Sequence, residues 1–165
     1  MDELPALVVE ATKKSGLIWV AVPGQPQPVG AWHLWQDTAT YVVTGPGEQR
    51  IPGLDATDRC AVIVRSTDKG GRIVTWQAEV TRIEPDTQAW DDVVPAMLTK
   101  RLNADADAAQ RWAAECAVLR LTPTGVLLEA GATLPADSHA TPPLPSPART
   151  PTRVPFTLHR NRAPR

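Results

Sequence analysis

Between Leu17 and Glu84 every apolar run is of strand length and stops at a turn signal. Leu17 to Val22 ends at Pro23-Gly24-Gln25-Pro26, and Val29 to Trp35 ends at Gln36-Asp37. Thr38 to Thr44, rich in β-branched and aromatic residues, is stopped by Gly45-Pro46-Gly47. A polar break, Asp55-Ala56-Thr57-Asp58, precedes a run from Arg59 to Thr67. The tight Lys69-Gly70-Gly71 turn then leads into a long run from Arg72 to Glu84. Consecutive strands with short turns favour an antiparallel closed or split barrel over a parallel sheet.

After Pro85-Asp86 the period changes. Trp90, Val93, Val94, Met97 and Leu98 fall on one helical face, which Leu102 extends. Ala104 to Cys116 is a second, alanine-rich helical stretch. Ala117 to Leu121 is strand-like again, and Pro123-Thr124-Gly125 turns it into Val126 to Leu128. Near the start, Leu4, Leu7, Val8 and Ala11 have helical spacing, Asp2 can cap that helix, and Ser15-Gly16 ends it. The spacing predicts a mainly β fold with helices: six or seven antiparallel strands, an N-terminal helix and a two-helix insert before the last hairpin.

Proline divides the chain in two. Eight of the 17 prolines lie between Ala132 and Arg165, together with five arginines and a single acid, Asp137. That stretch carries about +4, so the near-neutral total of −1 conceals about −5 on the rest. Two regions follow: a folded domain over 1–131 and a flexible Pro/Arg-rich tail over 132–165, which has too few large apolar residues for a core. The balance gives no global basic field for a nucleic-acid partner. No apolar run approaches the ~20 residues that span a bilayer, so no membrane partner is expected. Met1-Asp2-Glu3 lacks the basic start of a signal peptide. Cys60 and Cys116 are too few and too far apart for a disulfide framework, which fits a reducing cytoplasm.

Catalytic motifs are scarce. Of His33, His139 and His159, two lie in the tail, no G-x-S-x-G elbow surrounds a serine, and no His/Cys/Asp cluster has metal-ligand spacing. P-loop and dinucleotide motifs are absent. One constellation remains, from Trp32-His33-Leu34-Trp35 to Thr44-Gly45-Pro46-Gly47-Glu48-Gln49-Arg50. A strand ends in a glycine-rich turn that can present backbone N–H groups to an anion, and Arg50 adds a guanidinium. Trp32 and Trp35 fall on opposite faces of a regular strand, one for the core and one for a flat ligand. The plain alternative is a barrel hairpin with a surface arginine and two core tryptophans. For Lys100-Arg101-Leu102-Asn103 the simplest reading is cations at a helix C-terminus followed by an asparagine stop, and the sharper one is that Arg101 or Asn103 reaches a ligand from the insert. Cys60 and Cys116 read as small buried hydrophobes.

The runs Ser15 to Val20, Pro26 to Trp35 and Tyr41 to Arg50 resemble the pyridoxamine 5′-phosphate oxidase-like split-barrel flavoproteins, many of them users of FMN or a deazaflavin coenzyme. Trp76 to Val80, the helical insert and Val118 to Pro123 are similar to that family's second half, and the likeness covers roughly residues 4 to 130. The resemblance implies an antiparallel six-stranded split β-barrel that forms a homodimer with the flavin between subunits. It places Arg50 on the flavin phosphate, with Gln49 beside it where the family often has arginine. Gly30, Ala31 and Trp32 fall on the strand facing the ring system, and Val43 and Thr44 on the strand contacting ring and ribityl chain. Two departures stand out. Glu48 beside a phosphate would repel it, and Trp76, at a position often small, would narrow or occlude the pocket. Haem handling, known for some relatives of the fold, would need His33 as axial ligand.

These observations point to a flavin (FMN) or deazaflavin-dependent oxidoreductase, a flavoprotein acting on a small-molecule substrate that the sequence does not name. No residue stands out as a proton donor, which suits cofactor-centred chemistry. The alternative is a cofactor-less split-barrel dimer acting as a binding or structural module.

Overall fold

The computed structural model describes residues 4–136 and 147. Helix α1 (Ala6–Lys14) leads into strand β1 (Leu17–Ala21). Then come β2 (Val29–Trp32), β3 (Leu34–Gln36), β4 (Ala39–Thr44), β5 (Arg59–Arg65) and β6 (Arg72–Ile83). Helices α2 (Gln88–Lys100) and α3 (Ala108–Glu115) precede the last strand, β7 (Ala117–Ala130). All pairings are antiparallel, in the order β2-β1-β5-β6-β7-β4-β3.

The mainly β split-barrel class is as expected; the strand count differs. The run Val29 to Trp35 does not form one strand. It breaks at His33 into β2 and β3, which occupy opposite ends of the seven-stranded order. One residue spans only ~3.3 Å, so the sheet must curl until its two ends meet at His33. The imidazole fastens this junction. Its Nε2 lies 2.9 Å from the Ser15 carbonyl, just before β1, and its Nδ1 lies 2.6 Å from Thr40 Oγ1 on β4. A carbonyl only accepts, so Nε2 carries the proton and Thr40 donates to Nδ1.

The expected turn at Pro123-Thr124-Gly125 is a bulge instead. Strand β7 continues through it, and the register against β6 slips between the Trp76↔Leu127 and Ala78↔Pro123 pairs. Gly125, at φ +85°, supplies the backbone geometry for this bend. The hairpin from β3 to β4 turns on Asp37 and Thr38, both at positive φ, as the sheet twist demands.

Alternation along the strands produces two cores. Ile18, Val20, Ala31, Val42, Val62, Val64, Val74, Trp76 and Leu119 fill the barrel, with Val8 of α1 covering one end. Tyr41, Val43 and Val118 point the other way, beneath Val93, Val94 and Met97 of α2 and Trp112 of α3. Strand β4 is therefore buried along its whole length, because both of its faces are covered. Helix α1 starts one residue after Pro5 and buries Val8 and Thr12, while Leu7 is exposed. Asp2, its expected cap, lies outside the described residues. Helix α2 stops at Lys100 rather than extending to Leu102, with Asn103 in the left-handed conformation just beyond. The tail expected over 132–165 also lies outside them, apart from 132–136 and 147. No described helix is long and apolar enough to cross a membrane.

Candidate functional site

The site is organised by Glu48, which follows the Gly45-Pro46-Gly47 turn. Its side chain is 1% exposed. Arg101, just past α2, reaches its carboxylate through Nε at 2.9 and 3.1 Å. Trp112 of α3 donates its indole N–H at 2.8 Å, and Arg111 approaches at 3.3 Å. The guanidinium groups also bind the turn's carbonyls: Arg111 bonds Pro46 O at 2.8 Å and Arg101 bonds Gly47 O at 3.3 Å. Burial alone would raise the Glu48 pKa. The bonds from Arg101, Trp112 and Arg111 outweigh it and hold the carboxyl below the usual range.

This cluster corrects two expectations. Glu48 does not face an anion site as a repelling charge, because its carboxylate is taken up by two guanidinium groups and an indole. Arg101 does more than complement the α2 dipole: it ties the helix end to the turn. The turn's glycines have a local explanation as well. A Cβ on Gly45 would lie 2.7 Å from Cys116 Sγ and 2.8 Å from its Cα. On Gly47 it would lie 2.6 Å from Arg111 Nη1. Packing against the insert therefore suffices to require glycine at both positions.

Two grooves flank the turn. The larger, about 820 Å³, is lined by Thr44, Gly45, Arg50, Asp55, Arg82 and Cys116, among others. Arg50 is exposed and forms no ion pair with another described residue. Thr44 Oγ1 accepts the Ile51 N–H at 2.9 Å, which fixes the backbone leading away from Arg50. The smaller groove, about 590 Å³, lies on the other side and is lined by Gly16, Trp32, Gln49, Lys100, Arg101 and Leu102 as well as the turn. Trp32 stacks on Trp112 with centroids 6.0 Å apart, and its backbone N–H is held by Gln49 Oε1 at 3.1 Å.

The residues singled out in sequence thus divide. Thr44 and Arg50 share the larger groove, Trp32 and Gln49 the smaller. Ala31 is in the barrel core, Val43 is beneath the insert, and Gly30 lies beside Trp19 on the outer face of β1. Trp32 and Trp35 do pack on opposite faces, Trp35 against the barrel core and Trp32 against the insert. Trp76 is 1% exposed inside the barrel and lines neither groove. His33 is fully buried with both nitrogens bonded, so it has no position free for an axial bond to iron. Burial, with the Lys100 ammonium nearby, lowers its pKa to about 4. Both cysteines are free and buried, and burial pushes the Cys60 thiol up to about 12. No group of potential metal ligands occurs among the described residues. Sequence reading missed Arg111 and the bond from Trp112, since both residues lie over sixty positions from Glu48 and share no local motif with it.

No protein-family model and no curated protein matches the sequence. Among solved structures, the chain is similar to HutZ, the heme storage protein from Vibrio cholerae. The TM-score is 0.54 at 14% identity, covering 76% of this chain and 94% of that one. It is also similar to a FAD-binding protein from Mesorhizobium loti, with a TM-score of 0.51 at 19% identity over 73% of this chain and 89% of that one. A candidate pyridoxamine 5′-phosphate oxidase from Listeria innocua matches with a TM-score of 0.50 at 12% identity, over 73% of this chain and 94% of that one. At these identities the likeness is one of fold, and the chain has the pyridoxamine 5′-phosphate oxidase-like split-barrel fold.

Proposed function

We propose that the protein is a flavin- or deazaflavin-dependent oxidoreductase that works as a homodimer. The observation that carries this reading is the larger groove, in a fold shared with a FAD-binding protein, with Arg50 at its rim. The groove's volume is in the range of cofactor sites. Arg50 forms no other ion pair with a described residue, so its guanidinium is available for a bidentate phosphate contact. Thr44 and the backbone from Gly45 form the adjoining wall. When bound, such a coenzyme supplies hydride or electron transfer from its own ring system, and the protein supplies orientation and electrostatics. His33 is not the proton donor, since it is buried and lined up on Ser15 and Thr40.

The homodimer draws support from the outer face of β1 and β5. Trp19, Ala61 and Ile63 lie there only partly buried, and Leu17 at the start of β1 is exposed. A second copy on this face would bury its apolar side chains.

The test is a titration of the purified chain with FMN and with a deazaflavin, followed by absorbance and fluorescence quenching. Micromolar binding that weakens at least tenfold in Arg50→Ala is expected, since a charge-assisted contact is worth about 1.5–3 kcal/mol. A chain that binds neither coenzyme would overturn the reading. The Glu48 cluster favours a second one, a cofactor-less module, because it gives the insert's arginines an internal partner. Absence of coenzyme binding together with a stable dimer would favour that module.

A further inference from the structure

The smaller groove has a composition of its own. Trp32 contributes to its wall and Leu102, 85% exposed, stands at its edge as an unpartnered apolar side chain. Two cations line it, and they differ in kind. Arg101 is neutralised by Glu48 at 2.9 Å and bound to the carbonyls of Gly47, Leu102 and Asn103. Lys100 forms no ion pair or hydrogen bond with another described residue. With Arg101 and Glu48 cancelling, the groove carries one uncompensated positive charge. Gln49 spends its carbonyl oxygen on Trp32 N–H, which leaves its amide N–H groups as further donors at the same wall. No acid other than the neutralised Glu48 lines it.

An indole, a leucine and a free ammonium suit a ligand that is flat, apolar over most of its surface and singly negative at one end. A cation would find the indole attractive, but the uncompensated Lys100 would repel it. A volume of about 590 Å³ holds one or two fused rings with a small substituent.

We propose that this groove binds a planar aromatic carboxylate of one or two rings, with the ring against Trp32 and Leu102 and the carboxylate on Lys100 Nζ and the Gln49 amide. That this ligand is the substrate rests on the oxidoreductase reading above; the binding itself does not. The groove lies across the Gly45-Pro46-Gly47 turn from the Arg50 groove, so the two ligands have separate residues and can be tested separately.

The full chain is titrated by calorimetry with 2-naphthoate and, as a neutral match of the same shape, 2-naphthamide. One site with a submillimolar Kd for the carboxylate is expected, and at least tenfold weaker binding of the amide. Lys100→Gln and Leu102→Asp, both at exposed positions, each weaken 2-naphthoate at least tenfold. Arg50→Ala leaves its binding unchanged. Equal affinity for carboxylate and amide, unaltered binding in Lys100→Gln, or no binding by the folded chain would each overturn the proposal. Coenzyme binding without naphthoate binding would remove this site alone. Naphthoate binding without coenzyme binding would remove the oxidoreductase reading and leave the site.

Discussion

His33 has a neutral ring in a place where charge is costly. Its folded pKa, about 4, lies below the 6.5 of an exposed imidazole. Between those values the unfolded chain binds the extra proton and the folded chain does not, so stability is complete above about pH 6.5 and falls as pH drops to about 4. The loss reaches on the order of 3 kcal/mol at the lower end. A denaturant series from pH 7.5 to 4, with the His33 ring followed by NMR, checks both the window and the titration. Variant His33→Gln, with no titration in that range, should show a flatter curve. Glu48 acts in a lower window. Its carboxyl is held down by Arg101, Trp112 and Arg111, so its contribution is present above its unfolded pKa and is lost only as pH falls through the lowered folded value. From sequence, His33 was one histidine between two tryptophans, and nothing local shows that its ring reaches Ser15 and Thr40. Glu48 was visible as a carboxylate in a glycine turn, but its partners come from a helical insert more than fifty positions away. Residue types are legible at such a site, whereas partners joined by tertiary packing are not.

The turn from β4 toward β5 carries the tightest steric demand. A methyl on Gly45 would run into the backbone and sulfur of Cys116, which cannot move without shifting the start of β7. On Gly47 it would meet the tip of Arg111, a side chain able to swing aside. Gly45→Ala is therefore expected to cost about 2–3 kcal/mol and Gly47→Ala about 1–2 kcal/mol. Urea unfolding of the two variants checks the order, and a larger loss at Gly47 would contradict it. Most elements are legible from the sequence, because strand runs bounded by glycine and proline and the period change after Pro85 are local signals. Two features were not. Nothing in the alternation from Val29 to Trp35 marks a break at His33, since the break serves closure of the whole sheet. Pro123-Thr124-Gly125 has turn chemistry, yet pairing with β6 on both sides carries β7 through it.

At the scale of the molecule, the helices cover one outer face of the sheet and leave the face around β1 and β5 half open. If a second copy fills it, Ile63→Glu and Leu17→Glu should each convert a dimer to a monomer in light scattering, with little change in the circular dichroism spectrum. A wild-type chain that stays monomeric at high concentration would exclude the homodimer. The same topology answers another hazard of β proteins. An open sheet ends in two rows of unpaired backbone groups, each a template for further chains. Here both ends are made of one short piece of chain, four residues on one side of His33 and three on the other. Pro26 and Pro28 precede the first, and Asp37 with its positive φ follows the second. Neither of these two rows is long enough to template a long neighbouring strand, so the bend that closes the barrel also keeps the two ends of the strand order short.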